Sequence, residues 1–216
     1  MGDFSTSPGE SGGGQAAISR SWVPRFGRTE RFTHWWMVVL MVAALLTGLG
    51  LDEGGIMSWV HVGSVVLIGL GLLLAALLGD HRALYRAIRA LLIIDRRDVV
   101  WLRDRARLPG DRRPEPEWGV FNPGQKLFAW ALSLSVTAMI LTGVGAWFSL
   151  AEAGDLHGAS VVATGVLLSL HLFMALANPS TRPSFMGILF GRVNRRWAAA
   201  HHGEWLRAVD QTSQNT

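Results

Sequence analysis

The sequence predicts an all-α integral-membrane protein, a bundle of four transmembrane helices with both termini on the cytoplasmic side. Three observations carry that reading. Half of the 216 residues are hydrophobic and the mean hydropathy is +0.27. The charged residues are absent from four windows, 32–51, 54–79, 127–151 and 156–181. Each window reaches the ~20 residues that cross a hydrocarbon core of roughly 30 Å, and none has the polar face that a water-soluble helix needs. Finally, all twenty basic residues lie before the first span, between the second and third, or after the fourth. The two short connections, Leu51-Asp52-Glu53-Gly54-Gly55 and Glu152-Ala153-Gly154-Asp155, carry only acids. Cytoplasmic loops collect Lys and Arg, so this asymmetry puts the termini and the long central loop in the cytoplasm.

Taken in chain order, residues 1–22 are expected to form a disordered tail. Its MGDFSTSPGESGGGQAA start is rich in Gly and Ser and has no apolar core of the secretory-signal kind. Residues 23–205 form the transmembrane domain, with helices expected at about 32–51, 56–79, 125–151 and 156–178. The loop 80–121 opens with HRALYRAIRALL, in which Leu84, Ala87, Ile88, Leu91 and Leu92 recur at helical spacing beside arginines. It is expected to prolong the second span or to lie at the interface as an amphipathic helix. PGDRRPEPEWG then reads as a turn or exposed loop. RRWAAAHHGEWLRAVD suggests a short amphipathic helix on the membrane surface, and 206–216 a tail. Trp35, Trp36, Trp59, Trp130 and Trp147 lie near span ends, as an interfacial belt would have them.

Composition excludes several chemistries. No cysteine is present, which removes disulfides, thiolate metal sites, iron–sulfur clusters and covalently attached c-type haem from this chain. The formal charge of +4 follows from arginine-rich loops facing anionic lipid, and nucleic acid is not an expected partner. No acid falls within the four charge-free windows, which argues against an intramembrane proton relay or a zinc or copper transporter.

Seven histidines remain to be placed. His81, His201 and His202 fall in cytoplasmic segments and carry no evident task. His34, His61, His157 and His171 fall in or at the apolar spans, where polar side chains are costly. With alternating span directions, His34 and His171 lie toward the cytoplasmic edge, and His61 and His157 toward the outer edge. On the fourth helix fourteen residues separate His157 from His171, about 21 Å at ~1.5 Å per residue. Fourteen steps of ~100° end about 40° short of four full turns, so both imidazoles leave nearly the same face. Two inter-helix pairs result, each fit to hold a haem iron between neutral imidazole nitrogens. Two b-type hemes stacked across the bilayer would form an electron path.

Three stretches, RFGRTERFTHWWMVVLMVAALLTGL, FNPGQKLFAWALSLSVTAMILTG and VNRRWAAAHHGEW, resemble in order and spacing the gamma (cytochrome b) subunit of membrane-bound formate dehydrogenases. The likeness runs from about Val23 to Trp205. Its R-F-x-H-W motif is shared with cytochromes b of hydrogenases and thiosulfate reductases. The resemblance implies an outer haem on His61 and His157, an inner haem on His34 and His171, and location in the bacterial cytoplasmic membrane. It also implies a menaquinone or ubiquinone site built from His171, Asn122, Gly124 and Gln125. The implied partners are an iron–sulfur subunit and a catalytic subunit carrying molybdenum or tungsten. Lys126 reads equally as an interfacial anchor or as part of that site. Two alternatives stay open from the residues: the cytochrome b anchor of a hydrogenase or other respiratory oxidoreductase, and a haem-free membrane anchor or transporter whose histidines serve helix packing.

Overall fold

A computed structural model of the chain describes residues 21–49, 55–107 and 116–214. The expected loop between the first two spans and most of PGDRRPEPEWG lie outside the described residues, as does the expected tail up to residue 20. Four helices are long and apolar enough to cross a membrane. They are α1 (Arg28–Gly48), α2 (Ile56–Leu78), α5 (Pro123–Trp147) and α6 (Ala153–Leu172), the last prolonged by a π-helical turn, Phe173–Ala177.

The helix ends are set by single residues rather than by the charge-free windows. At the start of α5 the Asn122 side chain accepts from Gln125 N at 2.9 Å and the Gln125 side chain accepts from Asn122 N at 3.0 Å. This reciprocal capping box, with Pro123 as first helical residue, satisfies amides that an unfinished helix leaves orphaned. Left-handed Ser149 and Glu152 (φ 55° and 61°) turn the chain between α5 and α6. Because α1 and α6 begin earlier than expected, Glu30 and Asp155 fall in their first turns. The helices are therefore not acid-free; carboxylates there face the positive N-terminal end of the helix dipole.

α1 packs on α2, and α5 on α6, as two hairpins. No comparable contact joins a helix of one hairpin to a spanning helix of the other. Each hairpin is held by specific bonds. Trp36 Nε1 donates to Leu67 O at 2.9 Å over Gly71, and Ser135 and Thr164 share a 2.8 Å hydrogen bond between α5 and α6. Trp35 and Trp130 of the expected belt likewise donate to backbone, at Ile188 and Leu92, and both stay exposed.

The central segment does not prolong α2; it opens as a separate amphipathic helix, the other form expected for it. Gly79 is extended and ends α2, and Asp80 caps a separate helix, α3 (His81–Leu92), by accepting from Ala83 N at 2.9 Å. α4 (Arg96–Arg107) follows. Beyond α6 come a single 3₁₀ turn (Arg182–Ser184), α7 (Phe185–Phe190), α8 (Arg195–His201) and α9 (Gly203–Gln214). The residues 206–216 expected as a tail are thus helical as far as Gln214, because Trp205, Leu206 and Val209 pack into an apolar cluster with Val23, Val193 and Ala198. One feature departs from all-α. Strands β1 (Trp22–Pro24) and β2 (Arg192–Asn194) pair antiparallel, with Val23 opposite Val193. Trp22 is therefore part of the fold and not of a tail.

That cluster also absorbs His202, which is 1 % exposed rather than idle at a surface. Its Nδ1 lies 2.7 Å from Gly119 O and must donate, leaving Nε2 toward the Arg25 guanidinium at 3.5 Å. Arg25 donates to Val120 O and lies over the rings of Phe26, Trp197 and Trp205. Burial lowers Arg25 to about 10, and burial together with that guanidinium lowers His202 to about 4.

Candidate functional site

The four spanning-helix histidines meet in two pairs. His61 and His157 face each other with ring centroids 6.2 Å apart, and His34 and His171 with centroids 6.3 Å apart. Each pair joins one hairpin to the other across the gap between them. An imidazole nitrogen sits about 2.0–2.1 Å from a metal, with its ring centroid roughly 1.1 Å behind, so two rings on opposite sides of one metal stand about 6.3 Å apart. The observed separations match that arrangement.

The His61–His157 pair is built by the same device in each hairpin. His61 Nδ1 is 2.8 Å from Ala44 O, and a Cβ on Gly48, one turn further along α1, would stand 3.3 Å from the His61 ring. His157 Nδ1 is 2.9 Å from Met139 O, and a Cβ on Gly143, one turn along α5, would stand 3.0 Å from the His157 ring. Facing a carbonyl, Nδ1 is the donor in both rings. That fixes the tautomer and leaves Nε2 as a neutral ligand nitrogen. The glycines provide the notch in which each ring seats.

The His34–His171 pair is held differently. His171 stacks on Phe128 (centroids 5.8 Å, 14°) and His34 lies edge-on to Trp35. The π-helical turn begins two residues after His171; such turns within α-helices gather at functional sites. Among the described residues, no three of His, Cys, Asp or Glu gather as a cage for a bare metal ion. Opposed pairs of imidazoles suit a metal that brings its in-plane ligands with it. A macrocycle also needs width, and the spanning helices of the two hairpins do not pack closely on one another.

Asn122, Gly124 and Gln125 sit together at the foot of α5. The oxygens of Asn122 and Gln125 are engaged in the capping box, and their side-chain NH₂ donors lie outside it. Lys126 is paired with Asp98 of α4 at 2.6 Å. Asp98 has no motif around it, and only the folded chain brings it to α5. Gly48 and Gly143 carry little signal in sequence either, because glycine suits ordinary helix packing equally well.

The chain belongs to the prokaryotic cytochrome b561 family, whose family model matches residues 25–191, and membership implies b-type haem. Among curated proteins it is similar to the formate dehydrogenase cytochrome b556 subunit of Haemophilus influenzae, 28% identical over 203 residues, covering 82% of this chain and 79% of that one. It is 23% identical over 206 residues to the nitrate-inducible formate dehydrogenase cytochrome b556 subunit of Escherichia coli, covering 84% and 89%. A second formate dehydrogenase cytochrome b556 subunit of Escherichia coli is 24% identical over 213 residues, covering 90% and 97%.

Proposed function

We propose that the chain is the di-haem membrane subunit of a formate dehydrogenase-type respiratory complex, passing electrons from an iron–sulfur subunit to menaquinone or ubiquinone. The two histidine pairs at metal-sandwich separation, one toward each end of α6, carry the reading. His61 and His157 are the ligands of one haem, and His34 and His171 those of the other. Bound haem supplies a one-electron carrier at each position. The protein's contribution is orientation: the carbonyls of Ala44 and Met139 hold the outer imidazoles by Nδ1, and Phe128 fixes the plane of His171. Fourteen residues of helix keep the two levels about 21 Å apart.

The quinone is bound at the inner end by Asn122, Gly124, Gln125 and His171. The amide donors left outside the capping box suit a quinone carbonyl, and Gly124 allows the ring close to the backbone. The distribution of arginine puts this end, both termini and the α3–α4 segment on the cytoplasmic side of a bacterial cytoplasmic membrane. The catalytic subunit, carrying molybdenum or tungsten, and the iron–sulfur subunit then deliver electrons at the opposite face. Inward electron movement with proton uptake from the cytoplasm makes the reaction electrogenic.

The deciding experiment is a reduced-minus-oxidised spectrum with pyridine haemochrome quantitation on the purified chain, beside His157→Ala and His171→Ala. Two b hemes per chain are expected, with one lost in each variant. A colourless protein, or variants that keep the full complement, would remove the basis of the assignment.

A further inference from the structure

Nineteen of the chain's twenty basic residues are arginine, and the single lysine is Lys126, next to Gln125. A solvated arginine keeps its proton across the physiological range, whereas a lysine gives one up more readily. The only lysine of the chain thus lies beside the residues assigned above to the quinone. Its Nζ is 2.6 Å from Asp98 Oδ2, and the two side chains are only 13% and 1% exposed. Burying such a pair costs desolvation, and an apolar contact would fasten α4 to α5 at least as well. A clamp alone does not account for it.

The pair lies next to an exposed carboxylate. Asp98 Oδ2 accepts from Asp95 N, and Asp95 Oδ1 accepts from Asp98 N, each at 2.9 Å. Asp95 is exposed, and Lys126 lies near enough to act on its charge. Arg97 of α4 is the further charged group that acts on Asp95 and Asp98, and its guanidinium is held by Glu204 of α9 at 2.9 Å. All of these except Asp98 and Lys126 sit on the solvent side.

We propose that Asp98 and Lys126 form the proton-delivery route to the quinone, with Asp95 at its aqueous mouth; this rests on the quinone reading above. Two electrons arrive singly from the reduced cytochrome. For each proton an N–H bond of Lys126 breaks and an O–H bond forms at a quinone oxygen. The amine is then reprotonated through Asp98, whose Oδ2 touches Nζ and which takes the replacement proton from water on the side of exposed Asp95. Two such transfers convert quinone to quinol.

The test uses the full, haem-loaded chain, reduced anaerobically with stoichiometric dithionite and mixed with decylubiquinone in a stopped-flow spectrometer. Haem reoxidation is followed from pH 6 to 9 in H₂O and D₂O. Lys126→Arg keeps the charge and the ion pair but gives up a proton far less readily. It is expected to slow reoxidation at least tenfold and to alter the pH profile, with haem content and spectrum unchanged. Asp98→Asn is expected to do the same, and Asp98→Glu to recover most of the rate. Should Asp98→Asn fail to fold, Lys126→Arg and Asp98→Glu decide, since both retain the pair. Parent-like rate and pH profile in Lys126→Arg would reduce the pair to a clamp and overturn the proposal. A parent whose hemes decylubiquinone cannot reoxidise would overturn the quinone reading itself, and this inference with it.

Discussion

Acidification should detach the C-terminal helices before it disturbs the membrane helices, and His202 is the reason. In the folded chain its imidazole is lowered from 6.5 to about 4 by burial and by the adjacent Arg25. Above pH 6.5 the ring is neutral whether or not α8 and α9 are docked, and the Gly119 bond is fully kept. As pH falls below 6.5 the released ring takes up a proton that the docked ring refuses, so docking weakens until about pH 4. The whole interval corresponds to about 3 kcal/mol, of which about 2 kcal/mol is lost by pH 5. Trp197 and Trp205 stand around His202 and report the event through their emission. Thermal melting of that signal at pH 7 and pH 5 should differ strongly in the parent and little in His202→Asn, which stays neutral across this range. Equal pH dependence in the two proteins between pH 7 and 5 would refute the reasoning.

Other perturbations follow from the same contacts. Gly143→Ala sets a methyl 3.0 Å from the His157 ring, pushing it off the Met139 carbonyl. With His61 and His157 as haem ligands, as proposed, the haem-to-protein ratio should fall, and fall less in Gly48→Ala, at 3.3 Å. Gly71→Ala brings a methyl to 2.0 Å from Trp36 Nε1 and must break its bond to Leu67. A loss of about 1–3 kcal/mol from overpacking is expected in detergent unfolding curves. Thr164→Val deletes the buried partner of Ser135 and should cost about 0.6 kcal/mol, the average for such bonds between membrane helices.

The spans were legible because hydrocarbon imposes its rule on every residue of a window, so 54–79 announces a helix without reference to anything else. The pairing of the four histidines was legible for a related reason: helical rise and alternating direction give depth, and His157 and His171 share a helix face by arithmetic. What escaped was long-range or decided by one residue. The exact starts of α1 and α6, which enclose Glu30 and Asp155, lie beyond the windows that composition can define. Nothing in RVN or WVP states that segments some 170 residues apart will pair. The burial of His202 depends on Gly119, Arg25 and two tryptophans from three parts of the chain. Asp98 looks like one more charge in an arginine-rich loop until α4 is laid against α5.

The gap between the hairpins bears on how such a chain is made. Each hairpin can finish its own hydrogen bonds, Trp36 to Leu67 in one and Ser135 to Thr164 in the other. Each can therefore mature in lipid by itself. The ends of the two halves are already tied, by the β1–β2 pair, by Trp35 to Ile188 and by α3 packed on α5. Between the hairpins themselves the two imidazole pairs face one another. A prosthetic group held from both sides would therefore fill a space whose walls the outer contacts have already set in register, so that loading completes the tertiary structure and does not initiate it.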